Sequence, residues 1–185
     1  MQSAYIYLTM PTPTPTPALD NLIGAFALLV NDDVVAGLTR ATGLNPSSQA
    51  ALLCIDIYPA CSINQLRTAL ALSHAATVRC VAALVAAGWV RKGRAQDKRS
   101  VALELSAEGR RMQRRLLGER GKVLRGFNAA LTAGEQRVLE GLLRKLLWAA
   151  TRDAAHAMQV CRMCDCAPCL EENCPVERKF QGLPA

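Results

Sequence analysis

Eight cysteines stand in this chain of 185 residues, and five of them crowd towards its C-terminus: Cys161, Cys164, Cys166, Cys169 and Cys174. Thiolate sulfur suits both iron and zinc, so ligand type does not choose between them. Cys161, Cys164, Cys169 and Cys174 give C-x2-C-x4-C-x4-C-P; Cys161, Cys164, Cys166 and Cys174 give C-x2-C-x-C-x7-C-P. The first set is preferred, because evenly spread ligands can approach a cluster from several sides and Ala167-Pro168 makes a turn before Cys169. Structural zinc sites usually pair two short knuckles across a longer spacer. Iron–sulfur loops string their ligands together and end in Cys-Pro. The spacing therefore predicts an iron–sulfur cluster, 2Fe-2S or 4Fe-4S, with zinc as the alternative and free or disulfide thiols as a third outcome. Cys54 and Cys80 lie among apolar neighbours and read as small core residues, while Cys61 is open to either reading. His74 and His156 have no ligand partners nearby in sequence and read as surface or N-cap residues.

The second chemistry is electrostatic. Lys and Arg number 22 against 15 Asp and Glu, a net charge of +7. Such an excess points to a polyanion, either nucleic acid or an acidic membrane surface. No apolar run is expected to reach the roughly 20 residues of a membrane span. The start, Met1-Gln2-Ser3-Ala4-Tyr5, lacks the pattern of a secretory signal, so the expectation is a cytoplasmic protein with no membrane partner. No paired carboxylates, nucleophile–base pair or phosphate-cradling glycine loop argues for an enzyme.

Helical elements must position these groups. The hydrophobic fraction of 51% contains only 4% aromatics, a mix that favours helices packed through small aliphatic side chains. Residues 1–17 read as an extended Pro/Thr arm. Leu22, Ile23, Phe26, Leu29 and Val30 predict a helix ending near Gly43. Asn45-Pro46 restarts a helix that stops at Pro59. Ser62 and Ser73 cap two short helices around a turn at Ala71-Leu72, a helix-turn-helix stopped by Gly88. Trp89-Val90-Arg91 and Val101–Leu105 predict a hairpin around the basic loop 92–100. Ser106 caps a basic helix whose Arg110, Arg111, Arg114 and Arg115 read as a solvated face. Thr132 and Glu135 form a capping box ahead of a last helix striped with Val138, Leu139, Leu142, Leu143, Leu146 and Leu147. The predicted fold is mainly α with a small β-hairpin wing: a winged helix-turn-helix over 18–160 between long terminal helices, then a Cys-rich tail over 161–185.

Leu72 through Leu84, the run Gly88-Trp89-Val90-Arg91, Asp97-Lys98-Arg99-Ser100 and Leu105-Ser106-Ala107-Glu108-Gly109 together resemble the recognition helix and wing of the MarR family of transcriptional regulators. The likeness covers about residues 20 to 160 in the order and spacing of elements. Ala75, Ala76, Ala82 and Ala83 depart from the polar residues usual there. The resemblance implies a DNA-binding regulator, expected to repress, that forms a homodimer through its terminal helices. It also implies that Asp97 pairs with a wing arginine and fixes the loop. The alternative tail set is similar to the iron–sulfur loop of an oxidant-sensing MerR-type regulator, with a longer final spacer.

The first turns of a recognition helix face base edges in the major groove of double-stranded DNA. Here they offer His74, Ala75, Thr77, Val78 and Arg79; the wing offers Arg94, Lys98 and Arg99 to phosphates or the minor groove. A dimer would read a pseudo-palindromic operator with half-sites about 34 Å apart. The tail cluster would make DNA affinity respond to redox state or iron, by resetting the last helix on which it follows. The alternatives are a zinc tail with a small-molecule effector in the helix cleft, and a cluster-carrying electron-transfer or scaffold protein.

Overall fold

The computed structural model describes residues 17–58, 60–94, 101–169, 174–180 and 182, with the backbone alone at Arg94. The Pro/Thr arm ahead of residue 17 and the wing tip with Asp97, Lys98 and Arg99 lie outside the described residues. The order is α1 (Pro17–Thr42), α2 (Pro46–Ile57), α3 (Ile63–Leu70), α4 (His74–Ala86), β1 (Val90–Arg94), β2 (Val101–Leu105), α5 (Ala107–Asn128), α6 (Ala133–Ala150), α7 (Ala154–Cys161) and α8 (Pro175–Phe180). The mainly helical fold with one hairpin is as the sequence predicts.

Local chemistry sets most boundaries. Asn45 accepts from Ser48 N at 2.9 Å, with Pro46 at the first helical position of α2. Ser62 and Gln65 form a capping box on α3, and Ser73 caps α4 by accepting from Ala76 N. Such caps satisfy backbone donors that have no partner within the helix. Between α3 and α4, Ala71 turns the chain in the left-handed region at φ 52°, which costs an L residue about 1 kcal/mol. The two helices then meet at 109°, within the range of a helix-turn-helix. β1 pairs antiparallel with β2 from Val90↔Leu105 to Arg94↔Val101, so the first wing strand begins after Trp89 and runs past Arg91.

The core lies where α2, α3, α4, the hairpin base and α5 converge. Leu38, Leu52, Leu53, Leu66, Leu84, Leu103 and Leu116 are wholly or almost wholly buried. Cys54 is fully buried, as expected, and so is Cys61, whose carbonyl accepts from Leu103 N at 2.8 Å. Cys61 is therefore a core residue at the wing base.

Two terminal features differ from expectation. α1 is long and apolar enough by length and composition to cross a membrane, contrary to the reading that no run reaches that size. The charges Asp20, Asp32, Asp33 and Arg40 are sparse, leaving an apolar middle. The helix packs on α5 along its length, with Gly37 close to Val123 and Phe26 edge-on to Phe127 at 5.6 Å. The last long helix, moreover, ends at Ala150 and does not lead into the cysteines. A break at Thr151–Asp153 and a separate helix, α7, intervene.

Candidate nucleic-acid interface and thiol pocket

α4 buries Thr77, Val81 and Leu84 and turns His74, Ala75, Val78, Arg79, Ala82, Ala83 and Ala86 outwards. Spacing by three and four residues produces the two faces. His74, Ala75, Val78 and Arg79 thus share one exposed surface. Thr77 does not join them. It is fully buried, and its hydroxyl donates to Ser73 O at 3.0 Å, so it serves the helix start and not a base edge. Helical period explains the correction: position 77 shares its face with Val81 and Leu84.

The wing is fixed from below. Ser106 Oγ donates to Gly88 O at 2.6 Å, Ser106 N donates to Trp89 O at 2.9 Å, and Arg110 Nη1 donates to Leu105 O at 2.8 Å. Arg110 is exposed on the solvated face expected for it, and from there also ties α5 to the hairpin. Gly109 lies so close to Trp89 that an added Cβ would stand 2.0 Å from the Trp89 carbonyl oxygen. Arg91 and Glu104 pair across the strands at 2.7 Å, both largely exposed, which adds little stability.

All five tail cysteines line one cavity of about 860 Å³, with Tyr58, Gln65, Ala157 and Met158 on its other walls. Cys161 donates a hydrogen bond to Cys164. That bond, then the positive charge of Arg120, draws the Cys164 thiol down to about 6 against the resistance of burial. Cys161 moves the other way, first because it holds the shared proton and then because it is buried. Burial pushes Cys166 up to about 11 and raises Cys169. Burial also raises Tyr58, with the neighbouring thiols adding to it. Both candidate ligand sets thus reach the same cavity. No group of three His, Cys, Asp or Glu side chains among the described residues is arranged to hold a metal ion as the chain stands. Tyr58 and Gln65 were not legible as cavity residues, because their proximity to the tail arises only when α7 docks beside α3.

An exposed capped helix beside a two-stranded hairpin, with this connectivity, defines a winged helix-turn-helix, a fold used by a large class of DNA-binding transcriptional regulators. Residues 44–101 match the model of the MarR family. A probable transcriptional regulator from Pseudomonas aeruginosa is 29% identical over 69% of this chain and 98% of its own, with a TM-score of 0.54. The apo form of MarR from Escherichia coli is 25% identical over 68% of this chain and 96% of its own, with a TM-score of 0.57. A Mycobacterium tuberculosis MarR family protein in complex with DNA shares the fold at 23% identity, covering 71% of this chain and 98% of its own, with a TM-score of 0.59. No curated protein sequence matches the chain.

Proposed function

We propose that the protein is a homodimeric repressor that binds a pseudo-palindromic operator in double-stranded DNA and adjusts its affinity through an iron–sulfur cluster held by Cys161, Cys164, Cys169 and Cys174. The exposed face of α4, carrying His74 and Arg79, supports the DNA role, and the basic composition of the segment 94–99 that joins β1 to β2 agrees with it. On this reading the protein works in the cytoplasm. The dimer is supported by Val138, Leu142, Leu143 and Leu146 on α6, each roughly half exposed on a helix with no buried residue. Leu22, Ile23, Phe26 and Leu29 on α1 are exposed in the same way. A contiguous apolar surface of this kind calls for a partner surface.

The observation that carries the regulatory reading is the convergence of five thiols on one cavity against the helix-turn-helix. A single zinc ion needs four sulfurs at Zn–S of about 2.3 Å from one point. A cluster distributes its thiolates over several irons, which suits sulfurs arranged around a cavity better than sulfurs gathered at one point. When bound, a cluster supplies a centre whose integrity depends on oxidants and iron. Cys164, already drawn towards the thiolate, is the ligand most ready to bind. The second reading, a zinc tail with a small-molecule effector, is favoured by the apolar wall that Ile57, Ala154, Met158 and Phe180 give the same cavity.

Two measurements test this reading. Operator binding across a salt series should show Arg79→Ala losing affinity and Arg99→Ala losing affinity together with part of the salt slope. Unchanged binding in both variants would remove α4 and the wing from the interface. Anaerobically purified protein should be brown and should bleach in Cys164→Ala, with Cys169→Ala more damaging than Cys166→Ala. The reverse order selects the other ligand set, and colourless protein with about one zinc per chain refutes the cluster.

A further inference from the structure

We infer that α7 and α8 form a strut between α3 of the reading head and the end of α6, with the tail thiols at its joint, so that ligation of those thiols sets where α3 stands relative to α6. This rests on the reading of the tail as a thiolate-ligated centre and names its route of action.

One leg of the strut is α7. Gln159 Nε2 donates to the carbonyl of Thr68 on α3 at 3.3 Å. Cys54 Sγ, within α2, donates to Arg162 O at 3.6 Å. Ala157 is buried, and Met158 and Met163 pack against the core. The other leg is α8. Lys179 Nζ donates to Trp148 O at 2.7 Å and Ala149 O at 3.3 Å, the last carbonyls of α6, and stands 6.0 Å from the Trp148 ring centroid. Cations at a helix C-terminus complement both its free carbonyls and its dipole. Val176 of α8 is buried.

α6 depends on this leg. It buries no residue of its own, and α8 is the one described element with which it makes extensive contact. Without α8, its direction would be fixed only by its two chain connections, the turn from α5 and the short segment Thr151–Asp153 into α7. The thiols sit where the legs meet. Cys161 closes α7, Cys164 follows it in a tight turn with its N–H on Cys161 O, and Cys174 precedes α8 with its carbonyl accepting from Arg178 N. A centre that ligates Cys161 and Cys164 on one side and Cys174 on the other cross-links the legs. Loss of that link leaves α3 and α6 joined through helix packing and the short segment from α6 into α7. If α6 also carries the contact between copies, the strut sets the angle of each reading head to the dimer.

The test uses the full chain, purified anaerobically and compared before and after removal of its metal by a chelator, with iron, sulfide and zinc measured in each sample. Protein isolated without metal is first supplied with ferrous iron and sulfide, or with zinc alone. In the wild type, stripping should change operator affinity about 5- to 150-fold, the usual span of such coupling. It should also raise amide exchange in α3 and at the end of α6. Gln159→Ala and Lys179→Met, which remove no thiol, should keep the metal but lose most of that affinity change. Variants that keep the metal and the full affinity change would overturn the strut. A wild type whose affinity and α3 exchange ignore metal removal would also overturn it, while leaving the metal site itself in place. A chain that takes up neither iron nor zinc would refute the metal reading, and the strut with it.

Discussion

Gly109→Ala should cost the fold about 2–4 kcal/mol, although the residue is a surface-helix glycine by sequence. Its Cβ would stand 2.0 Å from Trp89 O, 2.9 Å from Trp89 C and 3.3 Å from Trp89 Cα, all backbone atoms that have no rotamer through which to escape. Carbon contacts are optimal near 3.5–4.0 Å, so α5 and the wing base must separate by more than about 1 Å. Overpacking of this kind costs about 1–3 kcal/mol. The same carbonyl accepts from Ser106 N, and breaking that bond adds about 1 kcal/mol. At about 2–4 °C per kcal/mol for a chain of this size, a loss of about 3 kcal/mol lowers the melting temperature by roughly 6–12 °C. Gly118→Ala, in the same helix with nothing within 4 Å of its added Cβ, should instead gain about 0.5–1 kcal/mol. Both are read by chemical denaturation followed by circular dichroism. A Gly109→Ala midpoint equal to wild type, or raised as in Gly118→Ala, would refute the close approach of α5 to Trp89.

Two predictions concern the tail and the apolar helices. In metal-free protein, iodoacetamide should modify Cys164 with a midpoint near pH 6, because the lowered thiol stays ionised from about 6 up through its ordinary range near 9 and is protonated only below. Cys54 and Cys61, raised by burial to about 12 and about 11, should stay unreacted at neutral pH; equal labelling of all three would contradict this. Leu142→Glu with Leu146→Glu should give monomers or insoluble protein, since charge would enter the proposed contact between copies. A wild type that sediments as a monomer would defeat the dimer.

The caps, the stop at Gly88 and the hairpin were legible because each is a local event: a hydroxyl or amide meets backbone N–H groups within three residues. Thr77 was misplaced although the period that buries it is equally local. Its hydroxyl suggested a base contact, whereas the stripe of Val81 and Leu84 already assigned its face to the core. The tail was legible as a set of ligands but not as a position. The contacts Gln159–Thr68, Cys54–Arg162 and Lys179–Trp148 join residues 31 to 108 positions apart, and no periodicity encodes such pairings. The expectation that the cysteines act by extending the last helix failed for this reason, since the break after Ala150 and the docking of α7 beside α3 are tertiary.

The reading face bears on how an operator is chosen. Besides His74 and Arg79, α4 turns Ala75, Val78, Ala82, Ala83 and Ala86 outwards, side chains with no hydrogen bond to give. A well-placed bidentate contact discriminates by about 1–3 kcal/mol, so in the proposed dimer a base contact by Arg79 from each copy would supply about 2–6 kcal/mol. Specific over non-specific binding usually spans about 4–10 kcal/mol. The remainder must come from groove shape, from the wing and from simultaneous engagement of both half-sites. Moving the half-sites apart by about half a helical turn, roughly 5 bp, should therefore cost more affinity than any single base change beneath α4. The comparison is made with operator duplexes of altered spacing and altered sequence, titrated at one salt concentration. If base changes under α4 each weaken binding as much as the altered spacing does, side chains on this sparse face read sequence directly, and the account of specificity through spacing and shape is wrong.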